Sequence, residues 1–316
     1  MKTPSHFLFA VAACGMLLPS ALRAEEGGSG HYLPGSMASF VDGTPSAPTF
    51  VTRLNVISYD ASHPAPLPIA GLQPASVDAK LFAAGLTFLW RPGFELAPGW
   101  SYAMSTTIAH VSLEVAGNLT AAGITVRRAT TVSGLGDIVL IPVMLNYTVS
   151  PDLHLDFRTA FYAPTGSYQL GRLANTGKNF WTFEPTAGLL YFGQKNGREA
   201  SLFAGMDYNS ENDATHYTSG NQFHLDGTLA QHFPLAGGIA GVGLSAFYYN
   251  QVTGDSGSGA TFGAFKGRTD GFGPAVSFVT KAGTADLVTE LKWLHEADTK
   301  NRLQGDYLWL KVVVKF

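Results

Sequence analysis

The last ten residues, Tyr307-Leu-Trp-Leu-Lys-Val-Val-Val-Lys-Phe316, alternate between two kinds of surface. Successive side chains of a strand point to opposite faces, so Leu308, Leu310, Val312, Val314 and Phe316 share one face while Tyr307, Trp309, Lys311 and Lys315 share the other. One face suits lipid and the other suits water. Residues 285–296 repeat the pattern, with Leu287, Leu291 and Trp293 opposed by Asp286, Glu290 and Lys292. Residues 153–162 set Leu153, Leu155, Phe157 and Phe161 against His154, Asp156, Arg158 and Tyr162. Alternation alone would also suit a soluble sandwich, so the choice between them rests on the rest of the chain.

Of the 316 residues, 46% are hydrophobic and 14% charged, a balance that argues against disorder. Beyond the first 24 residues, however, no apolar run reaches the roughly 18 residues that a spanning helix needs. A closed barrel is then the remaining way to cross a bilayer, because lipid cannot satisfy an open strand edge. Residues 1–24 supply the means of export: Lys2, the apolar run Phe7 to Leu18, and Ala21-Leu-Arg-Ala24 before Glu25-Glu26 read as a cleaved signal peptide. Val11-Ala-Ala-Cys14 is a poor lipidation signal, since Gly15 to Leu22 continues the apolar stretch. Cleavage after Ala24 removes Lys2 and Arg23 and no acid, leaving 18 basic against 23 acidic residues and no basic surface for a nucleic acid. It also removes Cys14, the only cysteine, so disulfides, thiolate chemistry and Cys-ligated metals are excluded from the exported part.

The period-two pattern predicts twelve strands, near 50–60, 77–90, 100–115, 136–149, 152–162, 180–193, 198–209, 222–232, 239–250, 271–281, 284–296 and 305–316. Short turns at 150–151, 194–197 and 282–283, and slightly longer ones at 91–99 and 233–238, alternate with loops at 61–76, 116–135, 163–179, 210–221, 251–270 and 297–304. Outer-membrane barrels have short periplasmic turns and longer external loops, so this alternation places both termini in the periplasm. Phe316 ends the final strand on an aromatic, and Trp90, Trp100, Trp181, Trp293 and Trp309 are expected near the lipid interfaces. The predicted fold is all-β: a transmembrane antiparallel up-and-down β-barrel of about 12 strands over 50–316. Its expected surroundings are outer-membrane lipid, and its expected partners in biogenesis are periplasmic chaperones and the barrel-assembly machinery. Residues 25–49 are too broken by Gly and Pro to span. They read either as a periplasmic tail or as a plug in which Leu33 to Val41 folds back into the lumen, a reading that explains Tyr32, Met37 and Phe40 in a segment otherwise free of structure.

Enzyme motifs fail on inspection. Gly254-Asp-Ser-Gly257 resembles a protease nucleophile loop, but no His and Asp partners are assignable and the surrounding glycines suit a turn. Gly171 to Lys178 has the wrong glycine spacing for a phosphate cradle, and His295-Glu296 lacks a second histidine four positions on. The nearest fragment to the His-x-Ser-Asn-Gly pattern of outer-membrane phospholipases is His110-Val-Ser112, with Glu114 where Gly is needed. No catalytic residue, cofactor or metal site is predicted, since the nine histidines are scattered. What remains is the set of charges that alternation aims inward: Arg53, His154, Asp156, Arg158, Glu184, Asp207, His224, Asp226, Glu290 and Lys292. They satisfy a polar inner wall and also line any transport path. Tyr32, Phe40, Tyr162 and Phe265 offer apolar faces to a ligand, and the N-terminal segment and loop 251–268 are candidate gates.

Several segments resemble the bacterial outer-membrane family labelled "putative MetA-pathway of phenol degradation", also called SphA-like. They are Gly30-His-Tyr-Leu-Pro-Gly35, Gly134-Leu-Gly-Asp-Ile-Val-Leu-Ile-Pro142, Ala163-Pro-Thr-Gly-Ser-Tyr168 with Asn175 to Trp181, Phe223-His-Leu-Asp226, and Gln251 to Gly259 leading to Phe265-Lys-Gly-Arg268. The resemblance implies a transporter-like barrel for small aromatic or other hydrophobic compounds, in bacteria that consume them, and no catalytic residues. Thr44-Pro-Ser-Ala-Pro48 and Tyr147 depart from the family pattern, the first at the end of the possible plug. The expected function is therefore passive uptake of such compounds, with a closed structural or partner-binding barrel, and then an outer-membrane lipid hydrolase, as alternatives.

Overall fold

A computed structural model describes residues 26–64, 66–121, 123–261, 263–264 and 266–316. The signal-peptide reading, Cys14 and Phe265 fall outside the described residues. The strands are β1 (Thr49–His63), β2 (Val77–Arg91), β3 (Glu95–Ala97), β4 (Trp100–Ala121), β5 (Ile124–Leu135), β6 (Ile138–Ser150), β7 (Leu153–Ala163), β8 (Thr182–Phe192), β9 (Arg198–Asn209), β10 (Gln222–Leu235), β11 (Gly238–Gln251), β12 (Arg268–Ala282), β13 (Ala285–Lys300) and β14 (Gln304–Lys315). All pairings are antiparallel, and twelve of the strands form a ring that runs β1, β2, β4, β6 and then consecutively to β14. The ring closes where β14 returns to β1, from Val51 opposite Lys315 to Ser62 opposite Gln304.

Alternation places the side chains as the period requires. On β14, Tyr307, Trp309, Lys311 and Val313 are buried inside while Leu308 and Leu310 are exposed on the outer wall. On β13, Glu290 and Lys292 point inward and Leu291 and Trp293 outward. The exposed Leu, Phe and Trp side chains suit a hydrocarbon neighbour. Trp309 differs from the expectation: it lies within the barrel, 4% exposed, because its position shares the parity of Lys311 rather than that of Leu310.

The stretch expected as a loop over 116–135 is instead the upper half of a long hairpin. β4 pairs with β6 near its start and with β5 from His110 opposite Leu135 to Ala121 opposite Ile124. β5 has no second strand partner among the described residues and is exposed along most of its length. Its sequence, Ile-Thr-Val-Arg-Arg-Ala-Thr-Thr-Val-Ser-Gly-Leu, carries no continuous apolar face, as expected for a ribbon standing beyond the ring. β12 and β13 likewise extend further into the predicted loops, beginning at Arg268 and ending at Lys300. Beside the base of β5, loop 164–181 takes the place of a strand and bounds a cleft of about 620 Å³ lined by Thr130 to Leu135, Thr165, Ser167, Arg172 and Thr176.

Lipid contact thus separates two apolar residues. Leu310→Arg, near the middle of β14, is expected to cost about 2–4 kcal/mol of folding stability in vesicles, and Ile124→Arg at the hairpin tip about 0–1 kcal/mol. Urea titrations of refolded protein check this; equal penalties would put β5 in the membrane.

Candidate functional site

The lumen is occupied by the chain's own residues 26–48. The segment begins among the long loops, where Asn212 Nδ2 donates to Glu26 Oε2 at 2.8 Å, Tyr168 and Thr215 donate hydroxyls to the same carboxylate, and Gly27 N donates to Pro68 O at 2.6 Å. Burial holds the Glu26 carboxyl above its ordinary range despite these hydrogen bonds. The chain then descends to β1 at the short-turn end. The first described residue therefore lies at the loop end, whereas the starts and ends of the strands place both barrel termini at the other.

Each step of the descent is tied to the wall. His31 stacks on Tyr162 and places Nε2 3.0 Å from Asp137 Oδ2. Tyr32 stacks on His224 with ring centroids 4.0 Å apart and donates its hydroxyl to Asp226 Oδ2 at 2.8 Å. Asp226 Oδ1 accepts from Gly35 N at 2.7 Å, while Gly35 O accepts from Lys292 Nζ at 2.9 Å and Pro34 O from Trp309 Nε1 at 2.8 Å. Gly35 has φ +81°, and a Cβ there would stand 2.6 Å from Leu294 Cδ1, so glycine alone fits both the turn and the gap. Arg158 contacts Met37 Sδ and donates to Asp42 O. Asp42 is the deepest anchor: Lys311 Nζ lies 2.6 and 2.7 Å from its two oxygens, Arg53 Nη1 3.0 Å from Oδ1, and the Ala38 and Ser39 amides donate to Oδ2. Phe40 packs on Phe192 and His232 while its amide donates to Glu199, and Thr44 donates to Asp156.

The residues predicted from alternation therefore meet the segment in two groups. Tyr162, Glu184, Asp207, His224 and Asp226 gather around Tyr32, with Tyr162 donating to Glu184 Oε2 at 2.6 Å. Arg53, Glu290 and Lys292 gather with Lys311 around Asp42, and Asp156 and Arg158 pair at 2.7 Å alongside. His154 joins neither group; it is half-buried at the short-turn rim, 3.3 Å from Thr148 Oγ1. Asp42, Glu199 and His232 are contacts of the candidate site that sequence reasoning misses. Lys311 lies on the water face of the closing strand, so its parity is the available signal, but Asp42 sits in a segment with no period to read.

The lumen is also two-sided. Opposite the polar wall of β7 to β10, a cluster on β1, β2, β4, β13 and β14 includes Ile57, Ala79, Val115, Leu294 and Tyr307, with Leu33 of the segment packed against it. A second apolar cluster, Val51, Leu89, Met144, Val288 and Val313 with Phe40 and Val41, lies nearer the short turns. Along β1, β13 and β14, the Asp42 clamp stands between the two. Above the clamp is a cavity of about 90 Å³, walled by residues such as Ile69, Val77, Val115, Leu173, Phe180 and Leu303.

In the loop after β11, Asp255 accepts from Tyr217, Gly220 and Gln251, and Ser256 bridges to Thr218. On the outer wall His110 Nε2 lies 3.4 Å from Ser133 Oγ, but among the described residues no carboxylate or amide hydrogen-bonds to His110 to orient it.

The family described as "Putative MetA-pathway of phenol degradation" matches residues 62–312. A crystal structure of an outer membrane channel from Pseudomonas putida is similar with a TM-score of 0.63 and 16% identity, covering 90% of this chain and all of that one. The β domain of a Bordetella autotransporter (TM-score 0.48, 12% identity, 86% and 99% coverage) and a Pseudomonas aeruginosa FadL homologue (0.39, 10%, 85% and 89%) are more distant. At such identity the first likeness speaks to the fold alone, a closed outer-membrane β-barrel. No curated protein sequence matches the chain.

Asp42→Ala strips a buried carboxylate from Lys311 and Arg53, an imbalance that costs on the order of 3–5 kcal/mol. The expected result is a folded barrel whose segment 26–48 becomes cleavable by protease, with protection largely restored in Asp42→Ala/Lys311→Met. Unchanged protection in the single variant would contradict the clamp.

Proposed function

This chain belongs to the family described as "Putative MetA-pathway of phenol degradation" and is a bacterial outer-membrane barrel of the channel type, and from that premise we propose that it takes up small hydrophobic or aromatic compounds by diffusion. The observation that carries this reading is the sidedness of the lumen. A polar solute would be served by an open polar axis, but here the segment takes up the polar groups of both walls, Asp226 through Tyr32 and Gly35, and Lys311 and Arg53 through Asp42. The apolar side keeps two clusters in line, with the clamp between them. Weak, sequential apolar contact moves such a solute without trapping it, at about 25 cal/mol per Å² of apolar area covered.

The resting cavity, about 90 Å³, is smaller than the roughly 150 Å³ that accommodates benzene in an engineered apolar cavity. Something must therefore move. Loop 164–181 contributes to both the outer cleft, through Thr165, Ser167 and Thr176, and the inner cavity, through Tyr168, Leu173 and Phe180. Its displacement joins the two, and release of segment 26–48 at Asp42 opens the way past the second cluster. The segment is thus the gate.

Proteoliposomes should take up phenols, alkylbenzenes or long-chain amphiphiles faster than a sugar control. Absence of uptake and of single-channel conductance, with the barrel shown folded, would instead mark a closed structural or partner-binding barrel. Met37→Ser/Phe40→Ser should raise nonspecific conductance several-fold in planar bilayers; unchanged conductance would dispose of the segment as a gate.

A further inference from the structure

We propose that Glu184, Asp207 and His224 form a site for one divalent transition-metal cation of the zinc type, set in the wall of the lumen beside Tyr32. The residues come from three adjacent strands, β8, β9 and β10, and are all 1% exposed or less. One ligand atom from each lies within 4.8 Å of the others. His224 Nε2 stands 3.6 Å from both Glu184 Oε1 and Asp207 Oδ1. That spacing is longer than a hydrogen bond but near the edge of a metal tetrahedron: donors about 2.0–2.1 Å from zinc stand about 3.3–3.4 Å apart.

The seat of His224 points the same way. Both ring nitrogens are buried with no hydrogen bond shorter than 3.5 Å, and each faces carboxylate oxygens at 3.6 Å, a spacing too long for a well-formed hydrogen bond. Gly205 lies opposite it on β9, where a Cβ would fall 2.3 Å from Nε2, so the wall is cut away to seat the ring. Charge points the same way. Two carboxylates converge on one imidazole, with Asp226 Oδ2 a third at 3.6 Å from Nδ1. An imidazole nitrogen with two carboxylate oxygens suits zinc, and a water completes four-coordination.

The surroundings have the form of an outer coordination shell. Tyr162 and Thr186 donate to Glu184 at 2.6 and 2.9 Å, orienting it. A metal on Nε2 leaves the proton on Nδ1, facing Asp226, in the manner of carboxylate–histidine–zinc triads. Asp226 also accepts from Tyr32 and Gly35, so the cation would be coupled through two side chains to the luminal segment. Cation binding would then favour the seated segment.

The test uses the full barrel in detergent, stripped with a chelator and titrated with Zn²⁺ against a chromophoric competitor. One Zn²⁺ per chain is expected, weakened at least tenfold in His224→Gln and in Asp207→Asn and about 10–100-fold in Asp226→Asn. The surface pair variant Glu211→Gln/His216→Gln should bind like the parent. No stoichiometric Zn²⁺, or equal retention in His224→Gln and Asp207→Asn, would overturn the proposal. Should those variants fail to fold, X-ray absorption of the Zn²⁺-loaded parent decides: one imidazole with oxygen donors supports the site, and two or more imidazoles refute it.

Discussion

The pairing of β1 with β14 is the constraint on which the rest depends. Hydrocarbon offers no hydrogen bonds, so a sheet that stands in it must have no free edge, and the first ring strand must find the last. Closure at twelve strands then dictates the interior. Every second side chain faces a lumen too wide for wall side chains alone to fill, and in this chain those positions hold Asp156, Arg158, Glu184, Asp207, His224, Glu290, Lys292 and Lys311. Buried charges demand partners. The segment from Glu26 to Pro48 meets that demand with Asp42, the Tyr32 hydroxyl and the backbone groups of Pro34, Gly35 and Ser36.

An ion-paired interior is a poor way to gain stability, because well-packed apolar side chains of the same volume would often serve as well or better. What it offers is asymmetry. A seated Asp42 satisfies Lys311 and Arg53 together, whereas a displaced Asp42 leaves two cations to be met by water or by Glu290. Such a contact is strong when made and can be exchanged once water enters, a suitable property for a gate placed between two apolar clusters. The apolar side of the lumen needs no such exchange, and Leu33, Phe40 and Val41 hold to it by packing alone.

The range of the signal decides how much of this is legible in the sequence. Alternation is local, so Glu290, Lys292, Asp156 and Arg158 can be assigned to the inner face correctly from their neighbours. β5 escapes because alternation is readable only where one face meets lipid, and Ile124 to Leu135 stands outside the ring with polar residues on both sides. The sequence does not choose between tail and plug for residues 26–48, since their partners lie far along the chain: Asp226 is 194 residues from Tyr32 and Lys311 is 269 from Asp42. The gathering of Glu184, Asp207 and His224 is hidden for the same reason. Three strands bring together what look like scattered histidines and acids.

A gate must be seated at rest and must move when a hydrophobic solute passes. Ser39 is fully buried beneath the Asp42 clamp, so a cysteine there, with Cys14 changed to Ser, reports directly on seating. The measurement is its rate of reaction with a membrane-impermeant thiol reagent, in proteoliposomes with and without an alkylbenzene gradient. Slow labelling at rest and markedly faster labelling during uptake are the results expected of a gate. Equal rates in the two conditions while uptake proceeds would contradict it.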